Sequence, residues 1–204
     1  MGAPLDTAHI KQFAVHAEEL LEWNRFANLT AITDLEEMAE KHFLDAVPLA
    51  SLAPSGSDVL DIGSGGGFPG LPLKVMRPDL EVCLIEASRK KANFLKHVIR
   101  TMGLKGIEAR HMRADDLARE VPSEGSPYNV IVSRAASKLE RLVDHALPLL
   151  SRQGMIIAMK GMSVETELQG AKARITAEGL TVQIETYQLP RLGLERSLVI
   201  LRST

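Results

Sequence analysis

The chain has 204 residues, of which 45% are hydrophobic and 25% are charged, and its formal net charge is −2 at pH 7. This length and composition are those of a globular domain with a substantial core. No apolar run reaches the roughly 18 to 20 residues of a membrane span, and the N-terminal segment lacks the basic and apolar regions of a signal peptide. The single cysteine, Cys83, excludes an internal disulfide and a cysteine-based zinc site. We therefore expect a cytoplasmic protein with no membrane partner.

The first 53 residues are predicted to form a helical appendage. Apolar residues recur at helical spacing between 6 and 26, and Asp6 or Thr7 is placed to cap the N-terminus of that helix. After a turn at Asn-Leu-Thr, a second helix is predicted, which Thr33 or Asp34 would cap. The breaker Ala-Pro-Ser-Gly-Ser then separates this appendage, residues 1–53, from the main domain, residues 54–204, and we expect the two to form one compact structural unit.

Strands and helices are predicted to alternate from residue 58 onwards. The five strands DVLDIG, EVCLIEA, GIEARHM, YNVIVSRA and GMIIAMKG are each followed by a helical segment. Those helices are predicted at 68–76, at 88–102 with Ser88 as the cap, from about 115, at 138–150 and at 163–178. The last two strands, TVQIETYQL and RSLVILRS, have no helix between them. This order predicts an α/β fold, with a mostly parallel seven-stranded sheet and an antiparallel hairpin at one edge.

A glycine-rich segment, GSGGGFPG at residues 63–70, follows the first strand. It lacks the Lys-Ser/Thr pair that closes a P-loop. A dinucleotide fingerprint is formally present at Gly65, Gly67 and Gly70, but it begins two residues late relative to the strand. Pro69 also removes an N–H donor that a pyrophosphate would use. These departures argue against a phosphate-bearing ligand.

Acidic residues beside the turn favour a ligand without phosphate. Asp61 ends the first strand, where a carboxylate repels phosphate and suits an ammonium group. Glu86 ends the second strand, where it can accept both hydroxyls of a ribose. The Arg-Ala-Asp-Asp-Leu segment after the third strand can bind an adenine edge. A ligand with these three groups is S-adenosylmethionine, and the pattern resembles the Rossmann-like class I S-adenosylmethionine-dependent methyltransferases. Another ligand on a nucleotide-binding fold stays the alternative.

Longer segments resemble one family within that class. Five segments are similar to the glucose-inhibited division protein B family. They are NLTAITDLEEMAEKHFLDAVPL, VLDIGSGGGFPGLPLKVMRPD, SRKKANFLKHV, VSRAASKL and AMKG. The resemblance implies an enzyme that transfers a methyl group from S-adenosylmethionine to N7 of the 530-loop guanine of 16S ribosomal RNA, conventionally guanine 527. It implies 16S ribosomal RNA as the partner, within the small subunit or an assembly intermediate, and we expect a monomer.

The resemblance also assigns candidate site residues. It places the cofactor at the glycine turn, after the third strand and after the fourth. These positions are Gly63 and Phe68, Ala114 and Asp115, and Arg134. The glycine turn and the end of the second strand add Gly65 and Glu86 to the expected cofactor-binding residues. Donors for guanine O6 are expected from Arg134, Lys160 and Arg196. Asn28, His42 and Asp45 could line the other side of the pocket, although His42 and Asp45 could instead pair with each other, and Asn28 could hold a turn.

Methyl transfer to guanine N7 requires little acid–base chemistry. N7 carries a lone pair and no proton, so we predict no obligatory general base and no metal, only alignment and exclusion of water. Three alternatives stay open: a methyltransferase acting on another RNA, a protein or a small molecule; a non-enzymatic RNA- or partner-binding module; and a nicotinamide oxidoreductase. Residues 86–113 carry eight Lys or Arg against two acids, which indicates either an RNA-facing surface or a solvated helix face.

Overall fold

The computed structural model describes residues 5–121, 127–134, 138–161 and 164–203. Its seven-stranded sheet has the order β3-β2-β1-β4-β5-β7-β6. The first five strands are parallel: β1 (Asp58–Ile62), β2 (Glu81–Glu86), β3 (Ile107–His111), β4 (Tyr128–Arg134) and β5 (Leu150–Lys160). The last two, β6 (Thr181–Gln188) and β7 (Glu195–Arg202), form an antiparallel hairpin in which β7 pairs with β5. The predicted sheet and its antiparallel edge are confirmed.

Helices cover both faces of the sheet. The N-terminal part contains α1 (Thr7–Ala27), α2 (Leu35–Met38), a π-helix (Ala39–Leu44) and α3 (Leu49–Leu52). The connections between strands contain α4 (Gly70–Met76), α5 (Arg89–Thr101), α6 (Ala114–Glu120), α7 (Leu139–Ala146), a 3₁₀ turn (Leu147–Leu149) and α8 (Glu165–Ala177). The second helix predicted for the appendage is therefore wrong as one continuous element. It widens into a π-helix and then breaks before α3, where Pro48 has no N–H to continue the ladder.

Side-chain caps explain where two of the N-terminal helices begin. The Asp6 carboxylate accepts the N–H groups of Ala8 and His9 at 2.8 and 2.9 Å. Asp34 accepts the N–H of Glu37 in the same way. Ser88 is the N-cap of α5, as predicted, but its hydroxyl makes no capping hydrogen bond.

The N-terminal helices share a hydrophobic core with one face of the sheet. Leu20, Met38 and Leu49 are fully buried in the same cluster as Leu84 and Phe94, and burial of each such side chain contributes about 1.5–3 kcal/mol. On the other face α6, α7 and α8 pack on a second cluster. Buried residues from both sides of residue 53 belong to the first of these clusters. The cluster therefore does not separate the two parts, and the division at residue 53 stays a prediction.

Within the described ranges, no helix is long and apolar enough to cross a membrane. The same residues contain no group of three His, Cys, Asp or Glu side chains arranged to hold a metal ion.

Candidate active site

The glycine turn lies between β1 and α4 and adopts a backbone that other residues rarely take. Gly63, Gly65 and Gly67 have φ angles of 77°, 56° and 94°. A Cβ on Gly65 would meet only the Gly63 carbonyl at 3.9 Å, so this part of the turn is open to a ligand. A Cβ on Gly66 would lie 2.9 Å from a methyl group of Leu20, so this glycine is required by the packing of α1 on the turn.

Asp61 holds the start of α4 from inside the protein. Its side chain is fully buried at the end of β1, and its Oδ2 accepts the Gly70 N–H at 2.9 Å. The next amide of α4, from Leu71, donates to the Gly67 carbonyl at 2.8 Å. With Pro69 lacking an N–H, these first amides are not available to a pyrophosphate. Burial raises the pKa of Asp61 to about 7, although the Gly70 hydrogen bond opposes the shift.

Glu86 connects the end of β2 to the glycine turn. Its Oε2 accepts the Gly65 N–H at 3.0 Å, and its Oε1 accepts the Ser88 N–H at 2.7 Å. These two bonds fix the carboxylate beside the turn while each oxygen keeps a lone pair for a ribose hydroxyl. The residue is therefore placed where the sequence predicts a ribose contact, and that contact stays a prediction.

A cavity of about 250 Å³ opens on the far side of the turn. Its lining residues are Ile62, Gly63, Ile85, Ala87, Met112, Arg113, Ala114, Asp115, Arg141 and His145. The apolar side chains of Ile62, Ile85 and Met112 suit an adenine ring, and the other lining residues include the polar side chains of Arg113, Asp115, Arg141 and His145. Glu86 is sequence-adjacent to two lining residues, Ile85 and Ala87. The predicted cofactor residues Gly63, Ala114 and Asp115 thus lie together, and the donor set fits S-adenosylmethionine.

Phe68 occupies the centre of an aromatic stack rather than an open pocket wall. Its ring is 4% exposed and lies between the rings of His16 and His42, with centroid distances of 4.7 and 4.4 Å. The guanidinium carbon of Arg134 lies 4.9 Å from the centroid of the same ring. The cofactor contact predicted for Phe68 stays a prediction. Because the ring is enclosed in the stack, only its edge or the backbone of Phe68 is left to make that contact.

His16 joins the long helix α1 to the glycine turn. Its Nε2 lies 2.8 Å from the Gly66 carbonyl, which can only accept, so this nitrogen carries the proton. Burial lowers the pKa of His16 to about 4, against the Gly66 hydrogen bond, so the ring is neutral at pH 7. Sequence reasoning missed this residue, although a histidine on the apolar face shared by Phe13 and Leu20 was a detectable signal.

Arg134 extends from the end of β4 into the N-terminal helices. Its guanidinium donates to the Lys41 carbonyl at 2.8 Å and to His42 Nδ1 at 3.1 Å, and lies 3.7 Å from Asp45 Oδ2. His42 Nδ1 also lies 3.1 Å from the Lys41 carbonyl, so the donor Arg134 and this acceptor favour opposite tautomers of the ring, and Nε2 lies 2.9 Å from the Thr30 hydroxyl. Burial is the main cause that lowers the pKa of His42 to about 3, and the charge of Arg134 adds to it.

Asp45 is held by the edge hairpin as well as by Arg134. The Tyr187 hydroxyl on β6 donates to its Oδ1 at 2.7 Å, and Arg196 Nε on β7 lies 3.4 Å from the same oxygen. Burial raises the pKa of Tyr187, and the charge of Asp45 adds to this. On the π-helix, Glu40 accepts the backbone N–H groups of Arg191 and Leu192. The sequence did not identify Tyr187 or Glu40, because their partners lie more than 140 positions away in the chain.

A second cavity, of about 380 Å³, lies beside Asp45 and Arg134. Its lining residues are Ile32, Lys41, His42, Asp45, Arg134, Met159, Lys160, Gly161 and Arg196. Four of the five predicted substrate residues, and the predicted cofactor residue Arg134, are therefore brought into one pocket. Lys160 at the end of β5 forms an ion pair of 2.8 Å with Glu167 on α8. Burial acts to raise the pKa of Glu167, but the net shift is downward, and the Lys160 hydrogen bond contributes to it.

Asn28 lies outside this pocket. It ends α1 in the left-handed conformation, with φ at 49°, and its side chain is exposed. The neighbouring turn is organised by Asn24, whose Oδ1 accepts the N–H groups of Leu29 and Thr30 at 2.7 and 3.0 Å. The substrate contact predicted for Asn28 stays a prediction, and the structure supports its alternative role in the turn.

The fold is that of the class I S-adenosylmethionine-dependent methyltransferases. An O-methyltransferase from Bacillus cereus, in complex with S-adenosylhomocysteine, has the same fold, with a TM-score of 0.67 at 20% identity over 98% of this chain and 92% of that one. A ribosomal RNA methylase from Streptococcus thermophilus superposes with a TM-score of 0.55 at 16% identity, over 78% of this chain and 94% of that one. Both likenesses are to the fold.

The chain belongs to the rRNA small subunit methyltransferase G family, whose model matches residues 9–197. Ribosomal RNA small subunit methyltransferase G from Geobacter sp. (strain M21) is 43% identical over 98% of this chain and 92% of that protein. The protein of the same name from Roseiflexus sp. (strain RS-1) is 40% identical over 98% of this chain and 86% of that protein. This is the glucose-inhibited division protein B family that the sequence predicts. The predicted family is therefore confirmed, and with it an S-adenosylmethionine-dependent enzyme.

Proposed function

We propose that this protein transfers the methyl group of S-adenosylmethionine to N7 of a guanine in small-subunit ribosomal RNA. The observation that carries the proposal is the cavity lined by Arg134, Lys160 and Arg196, which adjoins the glycine turn through the Phe68 stack. Cationic donors suit O6 and N7 on the Hoogsteen edge of guanine. The names of the two relatives, which specify ribosomal RNA of the small subunit, support the choice of substrate.

S-adenosylmethionine supplies an electrophilic methyl group on a sulfonium when it is bound. In the proposed arrangement Gly63, Gly65 and Glu86 hold its amino-acid and ribose parts, and the cavity that includes Ala114 and Asp115 holds the adenine. With the cofactor bound, its methyl group would be transferred to the lone pair of guanine N7, and the electrons of the C–S bond would return to sulfur. The protein contributes alignment of these atoms and exclusion of water.

The state of the pocket residues agrees with a reaction without a general base. His42 Nδ1 is occupied by Arg134, and the pKa of His42 is lowered to about 3 by burial. Asp45 accepts the Tyr187 hydroxyl and lies within 4 Å of two arginines. Since N7 carries no proton, these groups orient donors toward the base and need not remove a proton from it.

The wider context is part of the same proposal. The guanine must be turned out of its loop to enter this pocket. We assign 16S ribosomal RNA in the small subunit or an assembly intermediate as the substrate, a monomer as the active form, and the cytoplasm as the location. The family membership supports the substrate, and the net charge of −2 agrees with recognition by a local surface rather than by the whole protein.

The test is labelled methyl transfer to small subunits from bacterial cells that lack this activity, followed by mapping of the modified base. The matched variants are Arg196→Met, in the pocket, and Arg202→Met, on the same strand β7 but outside it. We expect Arg196→Met to reduce kcat/KM by at least about tenfold, since one charged hydrogen bond contributes about 1.5–3 kcal/mol, while Arg202→Met retains activity. Labelling of another atom, or equal losses in both variants, would overturn the proposal.

A further inference from the structure

The helix α5, which has 13 residues, carries a row of cations that the pocket does not use. Between Glu86 and Glu108 the chain has no acid and six Lys or Arg residues. Arg89, Asn93, Lys96 and Arg100 are spaced i, i+4, i+7 and i+11, which places them in one line along the helix. All four are exposed. We call this line the α5 stripe; its ends are about 16 Å apart at 1.5 Å per residue.

The cations of the α5 stripe differ from most other cations of the described chain in having no partner. Arg77, Arg110, Arg119 and Arg174 each form an ion pair with a carboxylate. Within the described ranges no ion pair or hydrogen bond is formed by the side chains of Arg89, Lys90, Lys91, Lys96, Arg100 or Lys105. Lys96 and Arg100, one turn apart, therefore repel each other without compensation.

An aromatic group lies beside the stripe, where α1 crosses α5. Phe26 is 58% exposed, and its ring centroid is 5.3 Å from that of Trp23. Trp23 in turn contacts His97 of α5 at 5.1 Å. A groove of about 540 Å³ runs between these elements and is lined by both Trp23 and the stripe residues Asn93, Lys96 and Arg100. Exposed rings beside cations are the combination that binds single-stranded nucleic acid.

Two acids limit where a polyanion can lie. Glu108 of β3 also lines the groove, and Glu19 is hydrogen-bonded to His97 at 2.7 Å. Phosphates are therefore directed to the outer line of Arg89, Lys96 and Arg100, and a base to the Phe26 ring. The first of these residues lies next to Ser88, whose N–H is bound by Glu86 at the cofactor site, so the stripe begins at the rim of the active site.

We propose that the α5 stripe and the Phe26 ring form a second contact with ribosomal RNA, in which the stripe binds phosphates and the ring stacks on an unpaired base. The proposal rests on the proposed function for its choice of polyanion. It gives an acidic protein an RNA-binding surface separate from the guanine pocket. The charge on the outer face, which no carboxylate neutralises, complements the phosphate backbone.

The test compares two triple variants that remove the same charge. Arg89→Gln, Lys96→Gln and Arg100→Gln are combined in one variant, since glutamine preserves helix propensity. The control combines Arg119→Gln, Arg152→Gln and Lys172→Gln, which are also exposed but lie away from α5. The probe is the small ribosomal subunit from cells that lack this methylation, and binding is measured over a range of salt concentrations. S-adenosylmethionine binding is measured by calorimetry in parallel.

We expect the α5 variant to lower the slope of log K against log salt by about 2 to 3, since each lost phosphate contact removes about 0.7–0.9. KM for the subunit should rise about tenfold or more, while kcat and the Kd for S-adenosylmethionine stay unchanged. Phe26→Ala should weaken subunit binding about fivefold or more without changing the slope. The control variant should behave as the wild type does.

Equal slopes for the α5 variant and its control would overturn the proposal and make α5 a solvated face. An α5-dependent slope without methyl transfer by the wild type would retain this surface and refute the proposed function instead. Absence of any subunit binding by the wild type would overturn both.

Discussion

Arg134 is the side chain on which the geometry of the pocket depends most. Replacing it with methionine removes two hydrogen bonds from a charged donor, to the Lys41 carbonyl and to His42 Nδ1. Each such bond contributes about 1.5 kcal/mol in a buried site, and the contact with the Phe68 ring adds a smaller amount. Asp45 keeps Tyr187 and Arg196 as partners, so it is not left as an isolated buried charge.

We therefore expect Arg134→Met to lower the free energy of unfolding by about 3 kcal/mol, which corresponds to a fall in Tm of about 6–12 °C for a chain of this size. Arg134→Lys keeps the charge but cannot reach both acceptors with one planar group, so we expect a loss of about 1–2 kcal/mol. Urea denaturation followed by circular dichroism measures both values.

The same substitution has an effect on ionisation that packing alone does not produce. Arg134 helps to lower the pKa of His42 and opposes the rise in the pKa of Asp61. In Arg134→Met both pKa values should therefore increase, and NMR titration of the His42 ring can follow the first. A loss below about 1 kcal/mol, equal losses for methionine and lysine, or an unchanged His42 pKa would refute this account of the pocket.

Two further predictions concern the glycine turn. The raised pKa of Asp61, about 7, adds stability that is complete below pH 4 and is lost as pH rises to 7. Buried neutral histidines such as His16, with a pKa of about 4, act in the opposite direction. We expect Asp61→Asn to steepen the loss of stability between about pH 6.5 and 4, and an unchanged slope in urea titrations would contradict this. In Gly70→Ala, the new Cβ would lie 2.3 Å from a methyl group of Leu84, so we expect a loss of about 2–4 kcal/mol and weaker S-adenosylmethionine binding by calorimetry. The matched Gly170→Ala, also helical, meets nothing within 4 Å and should add up to about 1 kcal/mol; equal effects of the two substitutions would contradict the reasoning.

Much of the fold could be predicted because its determinants are local. The five strand–helix repeats were recognisable from periodicity, and the absence of a helix between the last two strands was enough to predict the antiparallel edge. The N-terminal helices were predicted less well. The pattern around His42 is helical, but the π-helix that carries it depends on contacts of Glu40 and Asp45 with the distant hairpin.

The glycine turn shows how far a motif can be interpreted alone. The sequence indicated that Pro69 and Asp61 argue against phosphate, and the structure adds the reason: the first amides of α4 are used by Asp61 and Gly67. The sequence could not distinguish the glycine that is open to a ligand, Gly65, from Gly66, which is required by the packing of Leu20. That distinction depends on where α1 crosses the turn.

By itself, the sequence determined the α/β class, the strand order along the chain, the family, and the residue types available for a guanine pocket. Only the tertiary structure decided that His42, Asp45, Arg134 and Arg196 meet and that Asn28 stays outside. It also decided that Tyr187 binds Asp45 and that His16 binds the glycine turn. The physical reason is that periodicity and turn chemistry act over a few residues, whereas these contacts join residues 50 to 142 positions apart. Such contacts form only when the N-terminal helices pack on the sheet and bury their polar groups together.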